Sequence, residues 1–413
     1  MALPLSERAI ILSGPLHGIR VLDLSRVLAG PWAGQTLADL GAEVIKVERP
    51  GVGDDTRAWG PPFLPSGSAA RGESAYYLSA NRGKKSVTID FSRPEGQELV
   101  KRLAASSDIL LENFKVGDLA KRGLGYEQLR QISPRLIYCS ITGFGQTGPY
   151  RNRAGYDFLM QGMGGLMSVT GEPGGEPMKV GVAVTDLFTG MYAATSVLAA
   201  LAERARSDMG QHIDIALLDV QIATLANQFM SYLVSGAQPP RLGNAHPSIV
   251  PYQAFQTADG YVILAVGNDE QFRRFAEAAG CSDLAGDPRF ATNPARVVNR
   301  EMLVPKLAAI MRGRATRSWI DGLESAGVPC GPINEFSDVE NNEQVVDRNV
   351  IKTIAHPEAG EMRSVASPMR FSRSLVEDEK APPLLGADTE NVLRECLGAS
   401  DDEIAAWRSA GII

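Results

Sequence analysis

Hydrophobic patterning in the first third of the chain alternates between short β-branched runs and segments with helical periodicity. The runs that predict strands are IRVLDLS (19–25), AEVIKVE (42–48), SVTIDF (86–91), DILLEN (108–113) and RLIYCSIT (135–142). Helical patterns separate them, the first beginning near Pro31 and another reading PEGQELVKRLAAS. Strands that alternate with helices are typical of parallel βαβ units. The pattern therefore predicts an α/β fold with an open parallel sheet.

In the middle of the chain the regular alternation of strand and helix patterns ends. A long apolar helix is predicted from Asp186 to about Arg204, and QHIDIALL then runs into a further helix near 217–234. The Pro/Gly-rich connector SGAQPPRLGNAHP (235–247) indicates a domain boundary. A hairpin pattern over 252–266, followed by helical patterns to about residue 326, predicts a smaller α+β domain.

The remaining chain begins with a second connector, VPCGPIN, and mixes strands with two short helices. A length of 413 residues exceeds what one hydrophobic core usually supports, which favours two domains. The expected boundaries are a first part of the large domain over 1–216, a linker helix and connector over 217–243, a small domain over 244–327, and a connector with a return to the large domain over 328–413.

Charge and hydropathy narrow the functional classes. A net charge of −7 and a pI near 5.4 argue against a general nucleic-acid or membrane-surface binder. No run of about 18 apolar residues is seen, so no membrane span is expected. The N-terminal MALPLSERAIILSG lacks the pattern of a secretory signal. These features together favour a cytoplasmic protein.

Cysteine and histidine spacing gives no metal-binding pattern. The cysteines form no CxxC pair, and the histidines show no HxxxH or HExxH spacing. We therefore expect reduced thiols, no disulfide framework and no metal site. The residues concerned are Cys139, Cys281, Cys330, Cys396, His17, His212, His246 and His356.

The segment GFGQTG (143–148) matches G-x-G-x-x-G and follows a predicted strand. A dinucleotide fingerprint would open a helix directly and have an acidic residue about 20 positions further on. Here Pro149 and the polar YRNRAG follow instead. NAD binding is therefore disfavoured.

Polar residues at the predicted strand ends suggest a ligand-binding edge. In an open α/β sheet, ligands bind outside the carboxyl ends of the strands. Those ends carry Arg26, Glu48-Arg49, Asn113-Phe114 and the 143–148 loop. Two arginines, an amide and an aromatic ring suit a ligand with phosphates and a flat base, although each residue taken singly could be a solvated loop residue.

The local charge supports a polyanionic ligand. Between residues 82 and 153 there are 13 Lys and Arg against 7 Asp and Glu, within a chain of net charge −7. A basic region on an acidic protein indicates a specific polyanion. The alternative interpretation is that these Lys and Arg residues form only the solvated faces of helices.

The stretch KVGVAVTDLFTGMY (179–192) places one carboxylate, Asp186, between a small-residue run and an apolar helix. Capping of that helix is one interpretation, since Asp is among the best N-caps. Nucleophilic catalysis is the other, because an ionised carboxylate needs no neighbouring base. A helix starting at residue 187 would offer free N–H groups to a developing oxyanion. The residues alone leave both roles open.

Several long motifs together resemble the family III CoA-transferases of the CaiB/BaiF type. The matching segments are LHGIRVLDLSRVLAGPWAGQTLADLGAEVIKVERPGVGDDTR, NRGKKSVTIDF, LLENFKVG, RLIYCSITGFGQTGPYRNRAGYD, VGVAVTDLFTGMYA, GVPCGPI and PPLLGADT. They occur in the order and spacing of that family and cover nearly the whole chain.

This resemblance implies a mechanism and a site. Asp186 would attack an acyl-CoA thioester to give an aspartyl anhydride, and CoA would return to form an aspartyl-CoA thioester. Coenzyme A enters as a substrate, and neither a metal nor a redox cofactor is implied. The positions that match the family's CoA contacts are Val27, Arg49, Ile89, Asn113, Phe114, Lys121 and Arg153.

The resemblance also implies an architecture. The family has a Rossmann-like large domain built from both chain ends, a smaller α+β domain and an interlocked homodimer. The α-methylacyl-CoA racemases share this fold but pair the aspartate with a histidine where this chain has Tyr156. Because tyrosine is a poor acid or base near neutral pH, the racemase alternative is disfavoured. A non-catalytic acyl-CoA-binding protein is a third hypothesis.

The small-domain sequence points to a branch of the family. The glycine run of formyl-CoA:oxalate transferases is absent, and RLGNAHPSIVPYQAFQTADGY (241–261) resembles the branch that uses succinyl-CoA and glutarate. A dicarboxylate acceptor with succinyl-CoA as donor is therefore expected. Its distal carboxylate needs a charge-assisted donor, for which Arg26, Tyr156 and His246 are candidates. His246 alone is more often a structural loop residue.

Overall fold

The computed structural model describes residues 13–65 and 72–413. The expectation of no secretory signal rests on a stretch whose first 12 residues lie outside that range. The strands are β1 (Arg20–Asp23), β2 (Glu43–Glu48), β3 (Lys85–Thr88), β4 (Ile109–Glu112), β5 (Ile137–Thr142), β6 (His212–Ala216), β7 (Tyr252–Gln256), β8 (Tyr261–Ala265), β9 (Cys330–Pro332), β10 (Ile351–His356) and β11 (Gly360–Val365).

The helices follow the same chain order. They are α1 (Ala29–Asp39), α2 (Ala75–Ser79), α3 (Pro94–Ala105), α4 (Tyr126–Ile132), α5 (Asp157–Met163), α6 (Leu166–Val169), α7 (Val184–Ser207), α8 (Leu217–Thr224), α9 (Ala226–Ser235), α10 (Asp269–Ala278), α11 (Ser282–Gly286), α12 (Asn293–Val298), α13 (Arg300–Met311), α14 (Thr316–Ser325), α15 (Phe336–Glu340), α16 (Glu343–Asp347), α17 (Thr389–Leu397) and α18 (Asp401–Ser409). Two 3-10 helices span Asp55–Ala58 and Ala120–Arg122.

Six strands form a parallel sheet in the order β3-β2-β1-β4-β5-β6. This is the doubly wound order, in which the sequence of strands reverses between β1 and β4. The predicted open parallel sheet is confirmed. The sixth strand, β6, extends it beyond the five runs that the pattern identified as strands.

Helices cover both faces of the sheet because alternate strand residues point to opposite sides. Val21 and Ile109 pack on one side in a core that also contains residues of α1 and α7. Leu22 and Leu110 pack on the other side with residues of α3 and α17. These four side chains are fully buried, and each contributes about 1.5–3 kcal/mol by leaving water.

Helix α7 lies directly on α1. Gly190 permits the contact, since a Cβ there would lie 2.6 Å from the Ala29 carbonyl oxygen. By length and mean hydropathy (1.3) α7 could cross a membrane, although the sequence pattern suggested no such run. It also packs on β5, β6 and α8, as the core helix of a globular unit does.

The chain divides into two compact units. Of the described residues, unit 1 contains those up to Gly165 together with Gly181–Ala226 and Gln344–Ile413, and unit 2 combines Leu166–Val180 with Asn227–Glu343. These limits differ from the expected boundaries in three places. Residues 217–226 belong to unit 1, whereas 166–180 and 328–343 belong to unit 2.

Unit 2 has its own core. The predicted hairpin over 252–266 is confirmed by β7 and β8, which with β9 form a three-stranded antiparallel sheet. The predicted helices up to residue 326 are confirmed by α10 to α14. Phe272, Phe275 and Trp319 fill the space between sheet and helices.

One predicted helix is interrupted. The segment expected to be helical near 217–234 forms α8 and α9, which are separated at Leu225. Ala226, the first residue of α9, has a φ of 44°, in the left-handed region that L-residues seldom adopt. The sequence therefore keeps its helical periodicity across a point where the helix itself is interrupted.

Candidate active site

Asp186 lies in the first turn of α7 and does not cap it. The helix begins at Val184 with Ala183 as the N-cap residue, so Asp186 is the third helical residue. The capping interpretation is therefore wrong. Another carboxylate takes that position, because Asp157 Oδ1 accepts hydrogen bonds from the N–H groups of Thr185 (2.8 Å) and Asp186 (3.4 Å).

The expectation of free N–H groups at this helix start is also wrong. The Val184 N–H donates to the Val182 carbonyl at 2.9 Å, and the Leu187 N–H donates to the Ala183 carbonyl at 3.1 Å. With Asp157 bonded to the two N–H groups between them, all four N–H groups of residues 184–187 have partners. An oxyanion would need donors from elsewhere.

Asp186 faces a cavity of about 330 Å³ at the carboxyl ends of β1, β4 and β5. Its wall carries six of the residues singled out in the sequence. They are Arg26, Val27, Asn113, Phe114, Arg153 and Tyr156. The basic groups Lys115 and Arg151 lie on the same wall. We call this the acyl cavity.

A second cavity of about 210 Å³ adjoins the first, since Arg26 and Phe114 line both. Arg49 and Ile89 lie here, together with Arg122. The rings of Phe91 and Phe114 meet edge to face with centroids 5.7 Å apart. Aromatic rings beside arginines suit a flat base with phosphates, and we call this the nucleotide cavity.

One expected site residue, Lys121, lies outside these cavities, and another, His246, is described within its own unit. Lys121 lines neither cavity; its exposed ammonium pairs with Asp118 at 2.9 Å, and the neighbouring Arg122 reaches the nucleotide cavity instead. His246 belongs to unit 2, where its Nδ1 accepts a hydrogen bond from the Ser248 N–H at 3.1 Å. Its ring also packs against Tyr252.

The ends of β1 and β4 are joined by one side chain. The Asn113 amide oxygen accepts from the Arg26 N–H at 2.9 Å, and its Nδ2 donates to the Arg26 carbonyl at 2.7 Å. The Arg26 guanidinium extends over the Phe114 ring and pairs with Asp55 at 3.0 Å. Arg26 and Phe114 are thereby held between the two cavities.

Val27 has a φ of 72°, which is rare for a β-branched residue. Its N–H donates to both oxygens of Asp54 at 3.3 Å. Asp54 is buried beside Lys46, with 2.9 Å between the Lys46 ammonium and a carboxylate oxygen. Burial opposes ionisation, but Lys46 outweighs it and lowers the pKa of Asp54 to about 2. A fixed charge therefore holds Val27 in this conformation.

The glycine loop after β5 does not open a helix directly, since α5 begins only at Asp157. Its two ends touch: a Cβ on Gly155 would lie 2.4 Å from the Gly143 Cα. This close approach carries Tyr156 and Asp157 back to the end of β5. The guanidinium of Arg153 lies over the Tyr150 ring, 4.5 Å from its centroid.

The surroundings of Asp186 make its carboxyl group a weaker acid than an exposed aspartate. Burial, and then the negative charge of Asp157, raise the pKa of Asp186 to about 7. Tyr76 on α2 is close enough that burial and the charge of Asp186 raise its pKa as well. Sequence reasoning missed Asp157 and Tyr76; the first directly follows Tyr156 in RAGYD, whereas no pattern marks the second.

The basic region over 82–153 is less positive than the sequence count suggests. Arg82 pairs with Asp39 at 2.7 Å, Lys84 with Asp23 at 3.0 Å and Lys85 with Glu43 at 2.7 Å, and all three carboxylates lie outside that segment. The remaining cations include those on the cavity walls. Across residues 13–65 and 72–413, no cluster of three His, Cys, Asp or Glu side chains could hold a metal ion.

Comparison with known proteins adds an independent finding. A family model described as CoA-transferase family III matches residues 16–389. The chain is 51% identical over 381 residues to a succinate--glutarate CoA-transferase of Agrobacterium fabrum, covering 92% of this chain and 95% of that protein. It is 45% identical over 399 residues to a succinyl-CoA:glutarate CoA-transferase of Mus musculus, covering 97% and 90%.

A solved structure agrees with the fold. A CAIB/BAIF family protein from Brucella suis superposes with a TM-score of 0.82 at 49% identity. The match covers 93% of this chain and 100% of that one.

Proposed function

Because this chain belongs to CoA-transferase family III and is an enzyme of that class, we propose that it moves CoA from succinyl-CoA to a dicarboxylic acid such as glutarate. The observation that carries the proposal is the placement of Asp186. Its carboxylate faces a cavity with a basic wall, and that cavity adjoins a second one suited to a nucleotide. The names of the relatives at 51% and 45% identity support the choice of donor and acceptor.

The proposed reaction begins at the Asp186 carboxylate. One oxygen attacks the thioester carbonyl, the C–S bond breaks, and CoA leaves as a thiolate from a mixed anhydride on Asp186. The thiolate then attacks the aspartyl carbonyl of the anhydride, which releases succinate and leaves an aspartyl-CoA thioester.

The second half repeats these steps with the acceptor. Its carboxylate attacks the aspartyl thioester and expels the thiolate, which gives a second anhydride. The thiolate attacks the acceptor's acyl carbon, the new acyl-CoA leaves, and Asp186 is restored as a carboxylate. Every intermediate keeps an activated acyl bond, so the transfer uses only groups supplied by the substrates and Asp186.

Binding roles follow from the two cavities. In the proposal CoA contacts Val27, Arg49, Ile89, Asn113 and Phe114, with Arg153 at the acyl cavity. Arg122 takes the place expected for Lys121.

The acceptor's distal carboxylate needs a separate donor. We assign it to Arg26 and Tyr156, both of which lie on the wall that Asp186 faces. His246 of unit 2 stays a candidate from the sequence. Charge-assisted hydrogen bonds of this kind are the strong ones in a partly closed site.

Trapping the covalent intermediate tests the central step. The protein is incubated with succinyl-CoA, treated with hydroxylamine or borohydride, and mapped by peptide mass spectrometry. We expect modification at Asp186, and Asp186→Ala should abolish transfer while still binding CoA. Transfer that survives in Asp186→Ala, or an adduct at another residue, would contradict the mechanism.

A panel of acids tests the acceptor. Dicarboxylates of three to six carbons are compared with monocarboxylates of equal length, using succinyl-CoA as donor. Because a missing charge leaves a cationic partner unpaired, we expect monocarboxylates to be poorer by about tenfold or more. Equal rates would refute a dicarboxylate site. Deuterium exchange at the α-carbon of a 2-methylacyl-CoA would instead favour the racemase alternative.

Assembly and location complete the proposal. We infer a homodimer of interlocked chains from the family resemblance. We also place the enzyme in the cytoplasm, which the four free cysteines support because thiols persist in a reducing compartment.

A further inference from the structure

The carboxylate of Asp157 occupies the start of the helix that carries Asp186. It accepts the Thr185 and Asp186 N–H groups at 2.8 and 3.4 Å. The N-terminus of a helix attracts anions because its N–H groups point outward and its dipole is positive there. Asp157 is thus an anion bound at this end of α7 although it comes from α5.

Two amide side chains fix this arrangement. Gln161, one turn along α5, donates from Nε2 to Asp157 Oδ2 at 2.7 Å and lies 3.5 Å from the Val182 carbonyl. On the other side, the Thr185 hydroxyl donates to Gln221 Oε1 on α8 at 2.6 Å. The start of α7 is therefore held from α5 and α8 together.

An acidic residue at the third helical position ordinarily turns back towards the helix start, as in a capping box. Asp186 occupies that position, yet its carboxylate makes no such bond, and the nearest helix N–H groups, those of Thr185 and of Asp186 itself, are already bonded to Asp157. Within the described residues, its own carboxylate accepts no hydrogen bond, and its side chain lines the acyl cavity. The occupied helix start leaves the carboxylate free for chemistry.

We propose that Asp157 is a positioning residue: by filling the anion-binding start of α7, it keeps the Asp186 carboxylate directed into the acyl cavity as the nucleophile. This inference rests on the proposed function, because it explains how the nucleophile is presented. Asp157 takes no part in bond making. It acts through its hydrogen bonds and through its negative charge.

The charge of Asp157 has a second effect. It disfavours ionisation of Asp186 and so raises the basicity of the nucleophile. The other titratable or charged groups around Asp186 are Tyr76 from α2 and, on the cavity wall, Tyr156, Arg26, Lys115, Asp118, Arg151 and Arg153. Removing the charge of Asp157 should therefore lower the pH at which Asp186 ionises.

The test measures single-turnover formation of the Asp186 adduct from succinyl-CoA as a function of pH. Asp157→Asn keeps an oxygen that accepts the helix N–H groups but removes the charge. We expect the acidic limb of the rate profile to move to lower pH by about one unit. Asp157→Glu, which keeps the charge, should return the limb towards that of the natural protein.

Asp157→Ala tests positioning. It empties the helix start, so the Asp186 carboxylate can turn back onto its own N–H groups, and adduct formation should slow about tenfold or more. Asp219→Asn is the matched control, because Asp219 is an exposed acid in the first turn of α8. It should leave both rate and limb unchanged.

The outcomes separate the two proposals. If the natural protein forms no adduct at Asp186 at any pH, the proposed function fails. If the adduct forms but Asp157→Ala forms it as fast as the natural protein does, the positioning role of Asp157 is wrong while the function stands. If Asp157→Asn leaves the acidic limb unmoved, the charge effect assigned to Asp157 is wrong. Should Asp157→Ala fail to fold, Asp157→Leu takes its place in the rate comparison.

Discussion

In the proposed mechanism Asp186 must be ionised to attack, yet its surroundings disfavour ionisation. Burial and the nearby Asp157 raise its pKa to about 7, compared with an ordinary value of 3.8. A carboxylate in such surroundings is more basic and less solvated than one in water, which favours attack on a carbonyl.

The raised pKa predicts the pH dependence of the first step. Since the deprotonated form reacts, the rate of adduct formation should rise with pH and level off above about 7. Rapid-quench measurements from about pH 5 to about pH 8.5 would show a limb of unit slope. A limb below pH 5 would mean that Asp186 has an ordinary pKa in the working enzyme.

The proposed nucleophile, Asp186, could be singled out from the sequence, but the residues around it could not. The segment KVGVAVTDLFTGMY singles out Asp186 because it is the one acidic residue in a stretch of small and apolar residues, where a charged side chain is unusual. The local pattern could not tell capping from catalysis, because both put an acid near a helix start. In the structure Asp157, not Asp186, bonds the helix start, and its contact with Thr185 joins positions 28 residues apart.

At the scale of elements, alternation of strand and helix patterns was enough to predict the parallel sheet. Strand β4 is buried throughout, as the apolar run DILLEN suggested. Strand β6 has a mostly exposed and intermediate pattern at the sheet edge, which gives a weaker sequence pattern. Lys121 and Arg122 lie in one 3-10 turn, where a shift of one residue decides which side chain faces the cavity, and the sequence pattern does not fix that shift.

The pair of Lys46 on β2 and Asp54 couples stability to site geometry. Asp54→Asn should lower the free energy of unfolding by about 3–5 kcal/mol, because it leaves Lys46 buried without its partner. It should also weaken CoA binding, since the Val27 N–H depends on the same carboxylate. Glu127→Gln, in an exposed pair with Arg130, is the control and should change little.

Urea unfolding measures the effect, and pH provides a second check. The pKa of folded Asp54 is about 2, below the ordinary 3.8, so its contribution is present above about pH 3.8 and is lost as pH falls towards 2. Asp54→Asn should remove that part of the acid sensitivity. An unchanged midpoint at neutral pH would show that the pair is energetically neutral.

At the scale of the molecule, the sequence predicted two folding units, and the limits of the two units in the structure differ from the expected ones. Composition marks connectors such as 235–247, yet it cannot show that 166–180 leaves unit 1 and returns to it at Gly181. Such a crossing is decided by tertiary contacts. The segment contains the Pro/Gly-rich run GEPGGEP (171–177), which by composition alone resembles an ordinary surface loop.

The proposed homodimer is tested by mass. Light scattering coupled to size exclusion should give twice the chain's 44.2 kDa, and interlocked subunits should exchange slowly when a tagged and an untagged preparation are mixed. A mass of 44.2 kDa at micromolar concentration would rule out a stable dimer.

The edge of the parallel sheet at β3 is closed by the far end of the chain. The Ser86 N–H donates to Asp388, the Thr88 N–H to Thr389 and the Asp90 N–H to the Ile412 carbonyl. These contacts join positions about 300 residues apart. During synthesis on the ribosome, the edge of β3 therefore stays unpaired until most of the protein has been made. Unpaired strand edges can form hydrogen bonds with other chains and so promote aggregation. Assembly of the catalytic sheet is thus a late event, and any chain that stops short of Asp388 leaves this edge uncovered.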